Sequence, residues 1–67
     1  MEFGKLFREH RTIAGYTQKQ LAEYLQIHQS NISDWENDIS RPEYENLIKL
    51  ARLYQITLDE LLGVDER

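Results

Sequence analysis

The stretch over residues 17–37, TQKQLAEYLQIHQSNISDWEN, decides how this chain folds. Thr17-Gln18-Lys19-Gln20 has the form of a capping box, in which the Thr17 hydroxyl caps a helix and Gln20 reaches back to the cap. Leu21, Ala22 and Leu25 follow at helical spacing and give a short second helix over residues 18–25. Gln26-Ile27-His28 leaves only enough chain for a tight turn. A third helix over residues 29–37 then buries Ile32 and Trp35 and leaves Gln29, Ser30, Asn31, Ser33 and Asp34 outward. A capped short helix, a turn and a second short helix fit a helix-turn-helix, although spacing alone does not single it out, because short helical pairs are common.

The flanks continue the same period. Phe3, Leu6, Phe7, His10, Ile13 and Ala14 recur every three or four residues, one stripe of a first helix over residues 2–13, with Gly15 as its left-handed stop. Residues 38–41 form a loop, and Pro42 suits the first turn of a fourth helix over residues 43–54. Leu47, Ile48, Leu50, Ala51, Leu53 and Tyr54 give that helix a broad apolar face. Thr57-Leu58-Asp59-Glu60 is a second capping box and starts a fifth helix, residues 57–62, which Gly63 ends. The alternation that strands need is absent, and there is no internal repeat, low-complexity run or dividing linker. The expected fold is all-α: a compact bundle of five short helices in one domain over residues 1–67.

Composition bounds the function. A chain of 67 residues without cysteine has neither a disulfide framework nor a thiolate metal site, and it is too short to enclose a deep active-site cleft easily. No enzyme constellation, cofactor site, membrane span or secretory signal is expected. The net charge of −4 weighs against nucleic acid. That average hides an asymmetry. Up to Ser33, Lys5, Arg8, Arg11 and Lys19 face three carboxylates, a balance of +1; beyond it Arg41, Lys49, Arg52 and Arg67 face nine, a balance of −5. A neutral or basic face therefore survives on the first half.

The outward side of the third helix is built of amides and hydroxyls. An α-helix fits the DNA major groove, where Gln29 and Asn31 have the geometry to pair with adenine N6 and N7, and Ser30 and Ser33 bond several bases. Helix N-termini offer backbone N–H groups to phosphates. Lys19 and Arg41 are the best cationic candidates for phosphates, with Lys5 and Arg8 behind them. Each feature also has an ordinary reading. The polar face suits bare solvation, Trp35 suits the core, and His10 suits a packed, hydrogen-bonded side chain. His28 suits a cap or backbone contact, and two distant histidines do not make a metal site. Tyr16, Tyr24, Tyr44 and Tyr54 fit core, interface or phosphate contact equally.

Gln18-x-x-Leu21-Ala22-x-x-Leu25, then Ile32-Ser33-x-Trp35-Glu36-Asn37, then Arg41-Pro42, resembles the phage repressor and Cro-type helix-turn-helix (XRE-like) family. Leu47-x-x-Leu50-Ala51 and Leu58-x-Glu60-Leu61-Leu62 extend the resemblance over nearly the whole chain, and it implies a lambda-repressor-like fold. It further implies that Gln18 bonds a DNA phosphate and braces the recognition helix. Gln29, Ser30, Asn31 and Ser33 fall at base-reading positions, with Asp34 on the same face. Asn37 and Arg41 fall where the following loop touches the DNA backbone, and Arg11 and Glu36 fall at a largely buried structural ion pair. Four positions depart from the family's habit. Gln26 and Asp38 replace glycines, His28 replaces a Ser or Thr cap, and Asp34 replaces a cation. A carboxylate at Asp34 either repels phosphate or accepts from cytosine N4.

The resulting expectation is a sequence-specific, repressor-like transcriptional regulator acting on double-stranded DNA, cytoplasmic and nucleoid-associated, bacterial or from a mobile element, either complete or the N-terminal domain of a longer regulator. Two or three neutralised phosphates per subunit are too few for tight binding, so a homodimer on a palindromic operator is expected. Tyr54, Ile56, Leu58, Leu62 and Val64 would supply its surface, being more apolar groups than a five-helix core needs. The alternative is a protein-interaction module, an antitoxin or anti-repressor partner whose acidic second half meets a regulatory protein.

Overall fold

The computed structural model describes residues 3–64, and over them the chain forms α1 (Phe3–Ala14), α2 (Gln18–Leu25), α3 (Gln29–Glu36), α4 (Tyr44–Tyr54) and α5 (Leu58–Leu62). No strand occurs among the described residues, so the all-α class and the five helices stand as expected. The helix start expected at residue 2 lies outside the described residues. Pro42 does not open α4. It is buried one residue ahead of Glu43, whose extended backbone makes it the N-cap.

All five helices stop by one device. Gly15, Gln26, Asp38, Gln55 and Gly63 take positive φ values of 58–87°. The amide after each reaches back to a carbonyl five residues earlier: Tyr16 to Arg11, Ile27 to Ala22, Ile39 to Asp34, Ile56 to Ala51 and Val64 to Asp59, all at 2.9–3.1 Å. This is the Schellman arrangement, which satisfies otherwise orphaned end carbonyls. Glycine adopts it freely, whereas Gln26, Asp38 and Gln55 do so against the Cβ clash that disfavours left-handed backbone. In each case the next residue is apolar or aromatic, and Tyr16, Ile27 and Ile56 pack against the core. The turn after α2 and the turn after α4 are alike, Leu-Ala followed by Gln-Ile at one constant offset. The chain therefore contains a short local repeat, which corrects the expectation that there is none.

The core is Phe3, Phe7, Leu21, Ala22, Leu25, Ile32, Trp35, Leu50, Ala51 and Leu61, with Trp35 edge-on to Phe7 at 5.7 Å between ring centroids. The expected stripe of α1 is rotated. Ile13 is 85% exposed and Ala14 is exposed, while Phe3, Gly4 and Phe7 are buried and Arg11 is nearly so. Gly4 is the cause. A Cβ there would collide with the backbone carbonyls of Trp35 and Glu36, so its hydrogen lets α1 close onto the end of α3. The face through Gly4, Phe7 and Arg11 then turns inward.

Candidate nucleic-acid interface

Helix α3 presents its first turn to solvent. Gln29 and Ser30 are exposed, while Asn31, Ser33 and Asp34 are half-buried, deeper than an outward face implies. Asn31 lines a cleft of about 280 Å³ with Trp35, Arg41 and Asn46, between α3 and the segment leading into α4. His28 occupies the N-cap position in extended backbone, yet its side chain makes no capping bond. Of the two readings of His28, cap or backbone contact, the side-chain cap is therefore not formed. Among the described residues no side chain caps the first turn of α3.

The far end of α3 is held by charge. Glu36 is buried, and its carboxylate accepts from Arg11 through Nε and Nη2, from Arg8 Nε at 3.2 Å and from Gln18 Nε2 at 2.9 Å. Burial alone would raise the Glu36 pKa. The hydrogen bonds from Arg11, Gln18 and Arg8, with the Arg11 charge, outweigh it and hold the group below its ordinary value of 4.5. Arg11 also donates Nη1 to the Tyr16 carbonyl at 2.8 Å, so this side chain ties α1 to the end of α3 and to its own C-terminal turn.

Gln18 connects that anchor to the exposed first turn of α3. A carboxylate only accepts, so the Gln18 amide must aim its nitrogen at Glu36, which leaves its oxygen for Gln29 Nε2 at 3.3 Å. Of the remaining phosphate candidates, Lys19 is exposed on the first turn of α2, without an ion pair among the described residues. Asn37 spends its amide donors on the Ser33 carbonyl at 2.9 Å and hydroxyl at 3.3 Å, closing its own helix. Arg41 is 64% exposed, with Nη2 at 3.8 Å from Asp38 Oδ1 and its guanidinium 5.3 Å from the Phe3 ring centroid.

Asp38 does more than tolerate a glycine's backbone. Its carboxylate accepts from the Gly4 amide at 2.9 Å, capping α1 from a loop distant in sequence. Asp38 stood out in the sequence only as a replaced glycine, and Gly4 not at all, although Gly4, Arg8 and Arg11 lie four and three residues apart, the spacing of one helix face.

Of the five residues expected to form a dimer surface, four are partly buried. Tyr54, Ile56, Leu58 and Leu62 pack against the core, and only Val64, at 54%, is strongly exposed. The supposed apolar surplus is smaller because α1 covers Tyr54. Its ring lies 6.2 Å from His10 and 6.3 Å from Tyr16 between centroids. Its hydroxyl is buried without a hydrogen-bond partner among the described residues, and burial pushes its pKa up to about 12. His10 is packed and bonded as expected, its Nε2 lying 3.1 Å from the Glu60 carbonyl.

The helix-turn-helix family model matches residues 7–61. The chain is 47% identical over 66 residues to the HTH-type transcriptional regulator ImmR of Bacillus subtilis (strain 168), covering 98% of this chain and 52% of that protein. It is 38% identical over 66 residues to the HTH-type transcriptional activator BcrR of Enterococcus faecalis, covering 98% and 32%. The crystal structure of a transcriptional regulator from Listeria innocua superposes with a TM-score of 0.88 at 25% identity, over 97% of this chain and 61% of that one. The chain thus spans about half the length or less of these two named relatives.

Proposed function

The chain belongs to the helix-turn-helix family of phage repressor and Cro type, and on that premise we propose that it is a sequence-specific DNA-binding transcriptional regulator that lays α3 in the major groove. The observation that carries the reading is the relay from Glu36 through Gln18 to Gln29. It leaves Gln29 Oε1 and one Nε2–H for a base, the pattern that pairs with adenine N6 and N7. Ser30, Asn31, Ser33 and Asp34 flank Gln29 as further base-facing groups, with Asp34 suited to cytosine N4. Gln18, Lys19, Asn37 and Arg41 are proposed to face phosphates, Asn37 by exchanging its bonds to Ser33. The uncapped first turn of α3 adds N–H groups that carry no formal charge cost.

So few cations per chain favour two copies on a palindrome, with half-sites roughly 34 Å apart along the duplex. Val64 and the accessible edges of Ile56, Leu58 and Leu62 are the proposed contact. One experiment addresses class and pairing together: selection of bound fragments from a random DNA pool at near-physiological salt. A recovered palindrome supports both, a single half-site removes the dimer, and no enrichment removes sequence reading. On the recovered site Gln29→Ala is expected to cost about 1–3 kcal/mol and to change binding to random duplex little. Equal losses on both would show that Gln29 reads no base.

A further inference from the structure

Two arginines converge on Glu36, and one carboxylate balances only one of them. Arg11 is nearly enclosed, its side chain 12% exposed, and its donors go to Glu36 and to the Tyr16 carbonyl. Arg8 is different. Its side chain is 55% exposed and gives Nε alone to Glu36, so both terminal Nη groups have no bonded partner among the described residues. The oxygen that takes Arg8 Nε also takes Gln18 Nε2, which brings the Arg8 guanidinium and the glutamine proposed to meet a phosphate to one acceptor. Gly4 makes this possible by letting α1 close onto α3, since Arg8 lies one helical turn further along the same face.

We propose that Arg8 is an additional DNA phosphate ligand, held by Glu36 through Nε and offering its Nη fork to the sugar-phosphate backbone next to Gln18. A half-exposed guanidinium fixed at one nitrogen has lost part of its conformational freedom before binding, and its planar fork matches phosphate oxygens. The local charge of Arg8, Arg11 and Glu36 is +1, placed beside the reading unit of a chain whose total is −4. This rests on the DNA-binding reading above.

The test compares wild type, Arg8→Gln and Arg8→Lys on the selected site and on random duplex, over a series of salt concentrations, with thermal melting alongside. Arg8→Gln keeps an N–H for Glu36 and removes the charge, so the chain stays folded. Its affinity is expected to fall by the same factor on both duplexes, about three- to tenfold at moderate salt. The slope of log affinity against log salt should flatten by about 0.9, the counterion release of one phosphate. Arg8→Lys should retain that slope. An unchanged slope in Arg8→Gln, whatever its affinity, overturns the proposal, because a side chain that only braces Gln18 releases no counterion. Wild-type binding with no salt dependence on either duplex overturns the DNA reading itself, a separate failure seen before any variant is made.

Discussion

Residues 21–36 and 50–62 are two versions of one device. Each has a helix ending in Leu-Ala and three further residues, a left-handed glutamine, an isoleucine that closes the turn, an N-cap, and a short second helix. The turns match bond for bond: Ile27 to Ala22 and Ile56 to Ala51, both at 3.0 Å. The second helices diverge. Where α3 carries Gln29 and Ser33, α5 carries Leu58 and Leu62, both packed against the core. Thr57 and Glu60 complete a capping box on α5, whereas the first turn of α3 has no side-chain cap. Helix α1 braces both, through the charged Glu36 cluster on one side and through His10 against the Glu60 carbonyl on the other. Local sequence makes the turn, and the faces of the helix after it decide whether that helix keeps a polar outer face or packs into the core.

The largest expected effect separates the two braces. Glu36→Leu leaves Arg11 without its carboxylate and is expected to cost about 3–5 kcal/mol in denaturant unfolding, a large share of the stability of so small a domain. A loss below 1 kcal/mol would show that α3 does not depend on the charged anchor. Because the folded-state pKa of Glu36 is depressed, its contribution is fully present above the ordinary value of 4.5 and is lost as pH falls through the folded value. Wild-type stability should therefore decline on acidification below about 4.5, and that part of the decline should be missing in Glu36→Leu.

The caps come next. Thr57→Ala is expected to cost about 1 kcal/mol by removing the acceptor for the Glu60 amide, whereas His28→Ala should change stability by less than about 0.5 kcal/mol. Equal losses would mean that both second helices are capped alike. The smallest effect tests the shared turn. Gln26→Gly and Gln55→Gly should each raise stability by up to about 1 kcal/mol, relief of left-handed strain offset by the extra freedom of glycine in the unfolded chain. Matched melting shifts keep the two turns equivalent; unlike shifts separate them.

Much of the fold was legible because helical order is local. Thr17 with Gln20 and Thr57 with Glu60 announce two helix starts, and Gly15 and Gly63 announce two stops, all within four residues of chain. The burial of Ile32 and Trp35 follows from spacing on one short helix. Reading failed where a residue's partner is remote. The hydrophobic period of α1 placed Ile13 inward, but Gly4, a residue with no side chain to count, set the rotation by admitting the end of α3. His28 has a cap's position without a cap's bond, and the partial packing of Tyr54, Ile56, Leu58 and Leu62 against the core is not resolved by periodicity.

By itself, then, the sequence determined the number and type of helices, the helix-turn-helix at residues 17–37 and the polar character of its outer face. These follow from capping, period and side-chain chemistry within a turn or two of the chain. The resemblance anticipated the Arg11–Glu36 pair, but only the tertiary structure decided that Arg8 and Gln18 join it, that Asp38 caps α1, and that Gln29 is linked back to a buried carboxylate. Those bonds join residues 11–34 positions apart, and no local energy term selects them. They form when the core has closed and brought their partners within reach.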